Sequence, residues 1–512
     1  MNLEALPNEI LLVLFSCFNG FDLLQAFYNL NSRFNQLLYE KVYDYQFRFS
    51  SISKIKFDWI CRQHLPSLDS RVTYLELSEV QTSPGQNQLF FSYFPSINHF
   101  IRLQTLKVSS IESSEMFITI VNALPYLSHL TYLQLDVSPS LKNNEIDFNI
   151  VLNNIWNLPQ LLFCHLHMYN FVYNENNDIN YSFTKQSTSI RHLELTGFCR
   201  KYSDIDVFFN QTPNLKHCNI SVYNFQQEDY APSFSLPKLS ELRLQIFATA
   251  GLTTLFSFLK RLSNLRRLNI KLNSHIIDGH QWEDFIRKYL PKLTNFVFHM
   301  DNKFNLHGNM PLSLDQLFMS FRTPFWIDEH KWYVRCDYDD IYNRLILLYT
   351  LPNVFDIDIE HRLKTKFWLS TKPDESKLCP LLKIHDFQLK PNHISSLKTL
   401  EDVNNMFPNL KQLITELPYG DDTINRYTMI FSRLTTLNVS LENNFGYDQL
   451  QIILNQTHCL YSLIIDSFGE TYVKLFQLTS PSVRRIQLLK AQAKFGKYFN
   501  HDDCEKLVNS PL

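Results

Sequence analysis

From residue 71 onward a short pattern, apolar-x-x-apolar-x-apolar, returns along the chain. It reads as Val72/Leu75/Leu77, Leu103/Leu106/Val108, Leu130/Leu133/Leu135, Ile190/Leu193/Leu195, Leu239/Leu242/Leu244 and Leu265/Leu268/Ile270. It continues through Leu293/Phe296/Phe298, Leu314/Leu317/Met319, Val354/Ile357/Ile359, Leu434/Leu437/Val439, Leu460/Leu463/Ile465 and Val483/Ile486/Leu488. Clear neighbours stand about 23 to 33 residues apart, the period of a repeat solenoid. The alternating pair in each copy predicts a short strand. Helical spacing fills several of the intervals, best at Thr254–Leu262, Gln281–Leu290, Asp339–Leu348, Leu397–Met406 and Asp448–Leu454. Strands that succeed one another through helices run parallel, so the expected class is α/β, with an inner parallel sheet and outer helices.

Ahead of the repeats, Ile10, Leu11, Leu14, Phe15 and Phe18 recur at helical spacing behind Pro7, whose fixed φ suits a first helical turn. Asp22 is placed to cap a second helix carrying Leu23, Leu24 and Phe27, with Gln25 at capping-box spacing. Asn31 is placed to cap a third, carrying Phe34, Leu37 and Leu38. So small a unit encloses too little apolar surface to stand alone, so it should lean on a partner. The expected division is a three-helix module at residues 1–45, a helical linker at 46–70 and the solenoid at 71–512, with insertions near 169–187 and 321–340.

Composition narrows the function. With 10 glycines in 512 residues there is no room for glycine-rich phosphate loops, and neither H-E-x-x-H nor G-x-S-x-G occurs. No catalytic residue and no cofactor is expected, and the chain reads as a non-enzyme. Lys and Arg number 48 against 50 Asp and Glu, which leaves no electrostatic footprint for nucleic acid or a membrane surface. Glu4, Pro7 and Glu9 interrupt any secretory signal, and the apolar runs Ile10–Phe15 and Leu345–Leu351 fall far short of the ~20 residues that span a bilayer. Nine cysteines without a CxxC pair read as reduced thiols, hence a cytoplasmic or nuclear compartment. His165-x-His167 sets two imidazoles on one strand face, but no carboxylate or cysteine lies at a diagnostic spacing along the chain, so no metal is expected.

Leu6-Pro7-Asn8-Glu9-Ile10-Leu11, then Asp22-Leu23-Leu24, then Asn31-Ser32-Arg33-Phe34 resemble the F-box pattern in order and spacing. Phe34 stands where many members of that family carry tryptophan. The resemblance covers roughly 40 of the 512 residues, and the repeats behind it resemble the degenerate leucine-rich repeats of F-box proteins. It implies a segment that docks a Skp-type adaptor, and through it a cullin-RING scaffold, in an SCF-type ubiquitin ligase. The contacts it implies are Leu6, Pro7, Ile10, Leu11, Leu14, Phe15, Leu23, Leu24, Arg33 and Phe34. The solenoid would then hold a protein substrate destined for degradation. The other reading of the same residues is a helical cap on a repeat-based interaction scaffold with no ligase role.

Strand alternation puts Glu76, Lys107, Gln134, Asp136, His165, His167, Glu194, Arg243, Gln245, Asn269, Lys271, His299, Asp358 and Glu360 on the concave side. Arg243, Arg267 and Lys271 make its middle basic and Asp358 its far end acidic. These four, with Trp326 and Trp332 of the insertion, are the candidate substrate contacts; plain solvated charge is the other reading of the ionic ones. Phe321–Asp340 has two readings: an aromatic recognition loop, or an insertion packed onto neighbouring repeats. Tyr169–Ser187, rich in Asn and Tyr, reads as a surface loop.

Overall fold

The repeated pairs form a ladder of strands: β1 (Tyr45–Arg48), β2 (Val72–Ser78), β3 (Thr105–Ile111), β4 (Tyr132–Val137), β5 (Phe163–Met168), β6 (His192–Cys199), β7 (His217–Val222), β8 (Glu241–Ile246), β9 (Arg267–Leu272) and β10 (Asn295–Lys303). They lie side by side in chain order, each parallel to the next. The computed structural model describes residues 3–39, 44–49, 52–78, 85–138, 146–168, 181–223, 232–234, 236–247, 252–273, 275–303, 314–339, 345–352, 367–373, 386–389, 411–417, 433–441, 445–467, 478–480 and 482–489. The chain divides into two compact units, residues 1–336 with 343–355, and residues 337–342 with 356–512.

In the first unit, α1 (Asn8–Phe15), α2 (Gly20–Phe27) and α3 (Ser32–Tyr39) precede the sheet. Between strands run α4 (Lys54–Trp59) and α5 (Leu65–Leu68), then α6 (Gln86–Tyr93), α7 (Ser114–Ala123), α8 (Phe148–Trp156), α9 (Tyr202–Asn210), α10 (Leu252–Leu259) and α11 (Gly279–Tyr289), with α12 (Leu314–Met319) after β10. The alternation divides the sheet's faces. Leu75 and Leu77, Leu106 and Val108, Leu133 and Leu135, Leu193 and Leu195, Leu242 and Leu244, and Leu268 and Ile270 are all buried. Each such side chain contributes about 1.5–3 kcal/mol by leaving water. Most residues between them stay half-buried or exposed, so one sheet face is sealed and the other open. The residue before each strand extends the ladder: Thr131 N–H donates to the Gln104 carbonyl, Leu162 to Thr131, Arg191 to Leu162 and Lys216 to Arg191, at 2.8–2.9 Å. Equivalent positions of successive repeats are thereby locked side by side.

Sequence patterning misplaced several elements. The sheet begins at Tyr45, so that β1 straddles the expected boundary between module and linker, because Tyr45 and Phe47 alternate with Gln46 and Arg48 in a strand only four residues long. Leu314/Leu317/Met319 is not a strand but α12; spacing of three and five fits a short helix as well as a strand. Across the end of the expected helix Asp339–Leu348 lies a strand instead, β12 (Leu345–Thr350), which follows β11 (Val334–Asp339). Its run Ile346–Thr350 is buried throughout and pairs antiparallel with β10, His299 opposite Tyr349. An unbroken apolar run carries no period to separate strand from helix. α2 starts at Gly20, so Asp22 lies in its first turn and does not cap it. Asn31 does cap α3, its Oδ1 accepting the Phe34 N–H at 2.9 Å.

In the second unit, after β13 (Phe367–Ser370), strands β14 (Asp386–Leu389), β15 (Gln412–Leu417), β16 (Thr436–Leu441), β17 (Ser462–Ser467) and β18 (Arg485–Leu489) form a parallel sheet in chain order. Helix α13 (Phe445–Gln456) links β16 to β17 and buries Leu450, Ile453 and Leu454. The expected Leu397–Met406 helix, the Val354/Ile357/Ile359 repeat, Asp358 and residues 169–180 lie outside the described residues.

Candidate functional site

Two surfaces of the first unit gather the sequence-derived candidates. The first is the amino-terminal module. An eight-residue helix such as α1 has two faces, and only one can join the module's core. Leu11, Phe15, Leu23, Leu24 and Phe34 are all buried. Phe15 packs on Phe27 at 4.8 Å between ring centroids, and Phe27 on Phe34 at 5.5 Å. These five build the module and are not available as direct contacts, which corrects their place among the expected adaptor-facing residues. Leu6 and Leu14 are half-buried. Pro7 is exposed, as are Ile10 at 51% and, unforeseen, Val13 at 65%, Leu3 at 42% and Leu30 at 61%. Ile10 and Val13 stand three apart, on one helix face.

Arg33 acts inside the module. Its guanidinium donates to the carbonyls of Glu4 and Leu6 at 2.5 Å and to Asn8 Oδ1 at 2.7 and 2.9 Å. It ties the turn before α1 to α3, and so sets the angle at which α1 is presented. The module also rests on the first strand: Asn19 Oδ1 accepts the Arg48 N–H at 3.3 Å, and a Cβ at Gly20 would lie 2.8 Å from the Phe47 ring.

The second surface is the open face of the sheet. Side-by-side register stacks Tyr132 on Phe163 at 5.6 Å, Phe163 on His192 at 4.1 Å and His192 on His217 at 4.3 Å, a four-ring ladder across β4 to β7. Lys107 extends it, its ammonium 5.0 Å from the Tyr132 ring centre and 5.8 Å from that of Tyr74. A shallow cavity of about 310 Å³ runs along the ladder as far as Arg243 and Asn269. The ladder was not foreseen, although its signal exists in sequence: each ring sits one residue before the first buried position of its strand. Beside it, Glu241 meets His217 Nδ1 at 3.1 Å and Arg267 at 3.6 Å. Arg243 and Arg267 are exposed and Lys271 half-buried on this face. Cys164 and Cys218 lie under the ladder, and burial pushes both thiols up, away from the reactive thiolate.

The open face also brings together Asp136, His165 and His167. The carboxylate missing along the chain comes from the neighbouring strand, where register sets Asp136 opposite His167.

Trp326 and Trp332 are elsewhere. Trp326 is fully buried and Trp332 8% exposed, in a cluster with Phe296, Phe298, Phe321 and Phe325. Of the two readings of this insertion, packing onto neighbouring repeats is the observed one, and the two tryptophans are removed from the candidate contacts. Aromatic area this large gains more inside the fold than at a solvated rim.

Burial makes part of this unit's stability depend on pH. His64, fully buried with Tyr28, Tyr39 and Trp59 around it, is held below its ordinary value of 6.5 by desolvation. His192 and His330 are lowered mainly by the same cause. The unfolded chain therefore takes up protons first as pH falls. Their contribution is complete above about pH 6.5 and is lost below it. Thermal melts at pH 7.5, 6.5 and 5.5 should show a Tm steady across the first interval and falling across the second; a Tm that rises below pH 6.5 would contradict this assignment.

A scan of the chain against protein-family models finds no match, and a search of curated proteins finds none. Among the described residues no helix is long and apolar enough to cross a membrane. Fold and surfaces together define the class: an α/β protein with a largely parallel, solenoid-like sheet that leaves one face open.

Proposed function

We propose that this chain is the non-catalytic substrate-recognition subunit of an SCF-type cullin-RING ubiquitin ligase, acting in the cytoplasm or nucleus. In this reading the three-helix module is an F-box that docks a Skp-type adaptor, and the open sheet face, of leucine-rich-repeat type, holds a protein substrate. The observation that carries the reading is the amino-terminal stretch, where Leu3 and Pro7 ahead of α1 and Ile10 and Val13 on it stay exposed beside half-buried Leu6 and Leu14, on a module already supplied with its own core. Exposed apolar side chains repeated on one helix face, as Ile10 and Val13 are, mark an interaction site. The substrate would meet the ring ladder and the Arg243, Arg267 and Lys271 charges, where aromatic and guanidinium groups favour protein contacts. Ubiquitin transfer belongs to other subunits, and this chain contributes proximity.

A second reading, a repeat-based scaffold with no ligase role, draws on a different observation: α2 packs on β1, the first strand of the sheet, which is what a terminal cap does. Co-purification separates the two. The tagged full chain should retain purified Skp-type adaptor and cullin, and Ile10→Asp/Val13→Asp should lose both while its circular dichroism is unchanged. A folded wild-type chain that retains no adaptor leaves the scaffold reading.

A further inference from the structure

Cross-strand register assembles a donor set that neither strand holds alone. On β4 and β5, Gln134 lies opposite His165 and Asp136 opposite His167, all four on the open face. Directly opposite and diagonal neighbours on one sheet face are within mutual reach. One donor atom from each of Asp136, His165 and His167 falls within 4.8 Å of the others. His165 Nε2 and Asp136 Oδ1 face each other at 3.8 Å, too far for a hydrogen bond. Both atoms are shielded from solvent, and neither has a hydrogen-bond partner. A shielded polar atom without a partner is unusual enough to need a cause, and here two point at one another. Two bonds of about 2.0–2.2 Å to a shared ion span such a gap after small side-chain shifts.

The groups behind these atoms are arranged as around a metal. Asp136 Oδ2 accepts from Ser109 Oγ at 3.0 Å and from Gln134 Nε2 at 2.9 Å, which turns Oδ1 toward the imidazole. His165 Nδ1 faces Glu194 Oε2 at 3.6 Å, and Glu194 is itself held by Asn219 Nδ2 at 2.6 Å. At 3.6 Å the His165–Glu194 approach is a charge contact and not a hydrogen bond; drawn into hydrogen-bond range by metal binding, a carboxylate behind the ligating histidine orients the ring and strengthens it as a donor.

We infer that Asp136, His165 and His167 form a site for a divalent transition-metal ion, with Glu194 as positioning residue. Two imidazoles and one carboxylate suit Zn²⁺, which takes four ligands, and the open sheet face leaves the fourth position to water or to a carboxylate or imidazole from a docked protein. The inference stands apart from the adaptor reading, because it rests on none of the α1 residues.

The test is titration of Zn²⁺ alone into the chelator-stripped full chain, read against a chromophoric chelator. One equivalent should bind at micromolar Kd or tighter. His165→Ala and Asp136→Asn should each weaken binding by at least about 100-fold, and Glu194→Gln by about 10-fold. X-ray absorption on the loaded wild-type chain should show imidazole and oxygen ligands, a readout that needs no variant to fold. Absence of stoichiometric binding, binding unchanged in His165→Ala and Asp136→Asn, or sulfur in the ligand shell would each overturn the site.

Discussion

Trp326→Ala should lower the unfolding free energy of the first unit by about 3–5 kcal/mol, as expected when a fully buried aromatic is truncated. The indole touches Phe321 at 4.9 Å and Phe325 at 5.4 Å between ring centroids, and its Nε1–H donates to the Gly279 carbonyl at 3.2 Å in a buried setting. Truncation therefore opens a cavity and removes the buried hydrogen bond that ties the insertion to the start of α11. Repacking is restricted there, because a Cβ on Gly279 would already stand 2.3 Å from the Ser320 carbonyl oxygen. Urea unfolding followed by far-ultraviolet circular dichroism reads the change. Arg267→Ala, on the open face, should stay within about 0.5 kcal/mol of wild type. A Trp326→Ala chain as stable as the wild type would contradict the packed insertion and restore the recognition-loop reading.

Gly197→Ala should be comparably damaging, through the backbone. Gly197 adopts φ +85°, and the register of β6 against β7 shifts between Leu195 and Cys199, the mark of a bulge. A Cβ there would lie 1.9 Å from the Met168 carbonyl oxygen, so the adjacent strand end must move. Left-handed strain and this clash together should remove at least about 2 kcal/mol. The bulge lets Phe198 and Cys199 both turn inward, and the Phe198 carbonyl accepts from Tyr181 Oη at 2.5 Å. Amide hydrogen exchange should show faster opening of the β5–β6 pair than of the distant β9–β10 pair. Equal protection of both pairs in the variant would contradict the role given to Gly197.

The ladder of strands was legible because one repeat predicts the next: Leu106/Val108, Leu193/Leu195 and Leu268/Ile270 are all core. Helices with a clear period were also legible, as in α11, read at Gln281–Leu290 and found at Gly279–Tyr289. What failed were segments without a period, such as β12, or too short to show one, such as β1 and α12. The surfaces were only half legible. Periodicity marked Ile10 and Leu11 alike as apolar, yet one is 51% exposed and the other fully buried, and only the packing of α1 on α2 and α3 separates them. Asp136 and His167 are far apart in sequence and become neighbours solely through the pairing of β4 with β5. Trp326 and Trp332 misled because interface-like composition is shared by buried aromatic clusters.

Calorimetric titration of Skp-type adaptor into the full chain tests the central claim most directly. The account predicts saturable one-to-one binding with a negative heat-capacity change, the mark of apolar burial. It also predicts at least about 30-fold weaker binding by Ile10→Asp/Val13→Asp, the loss expected when a hot spot is removed. No binding by the folded wild-type chain, or equal binding by the double variant, would contradict it.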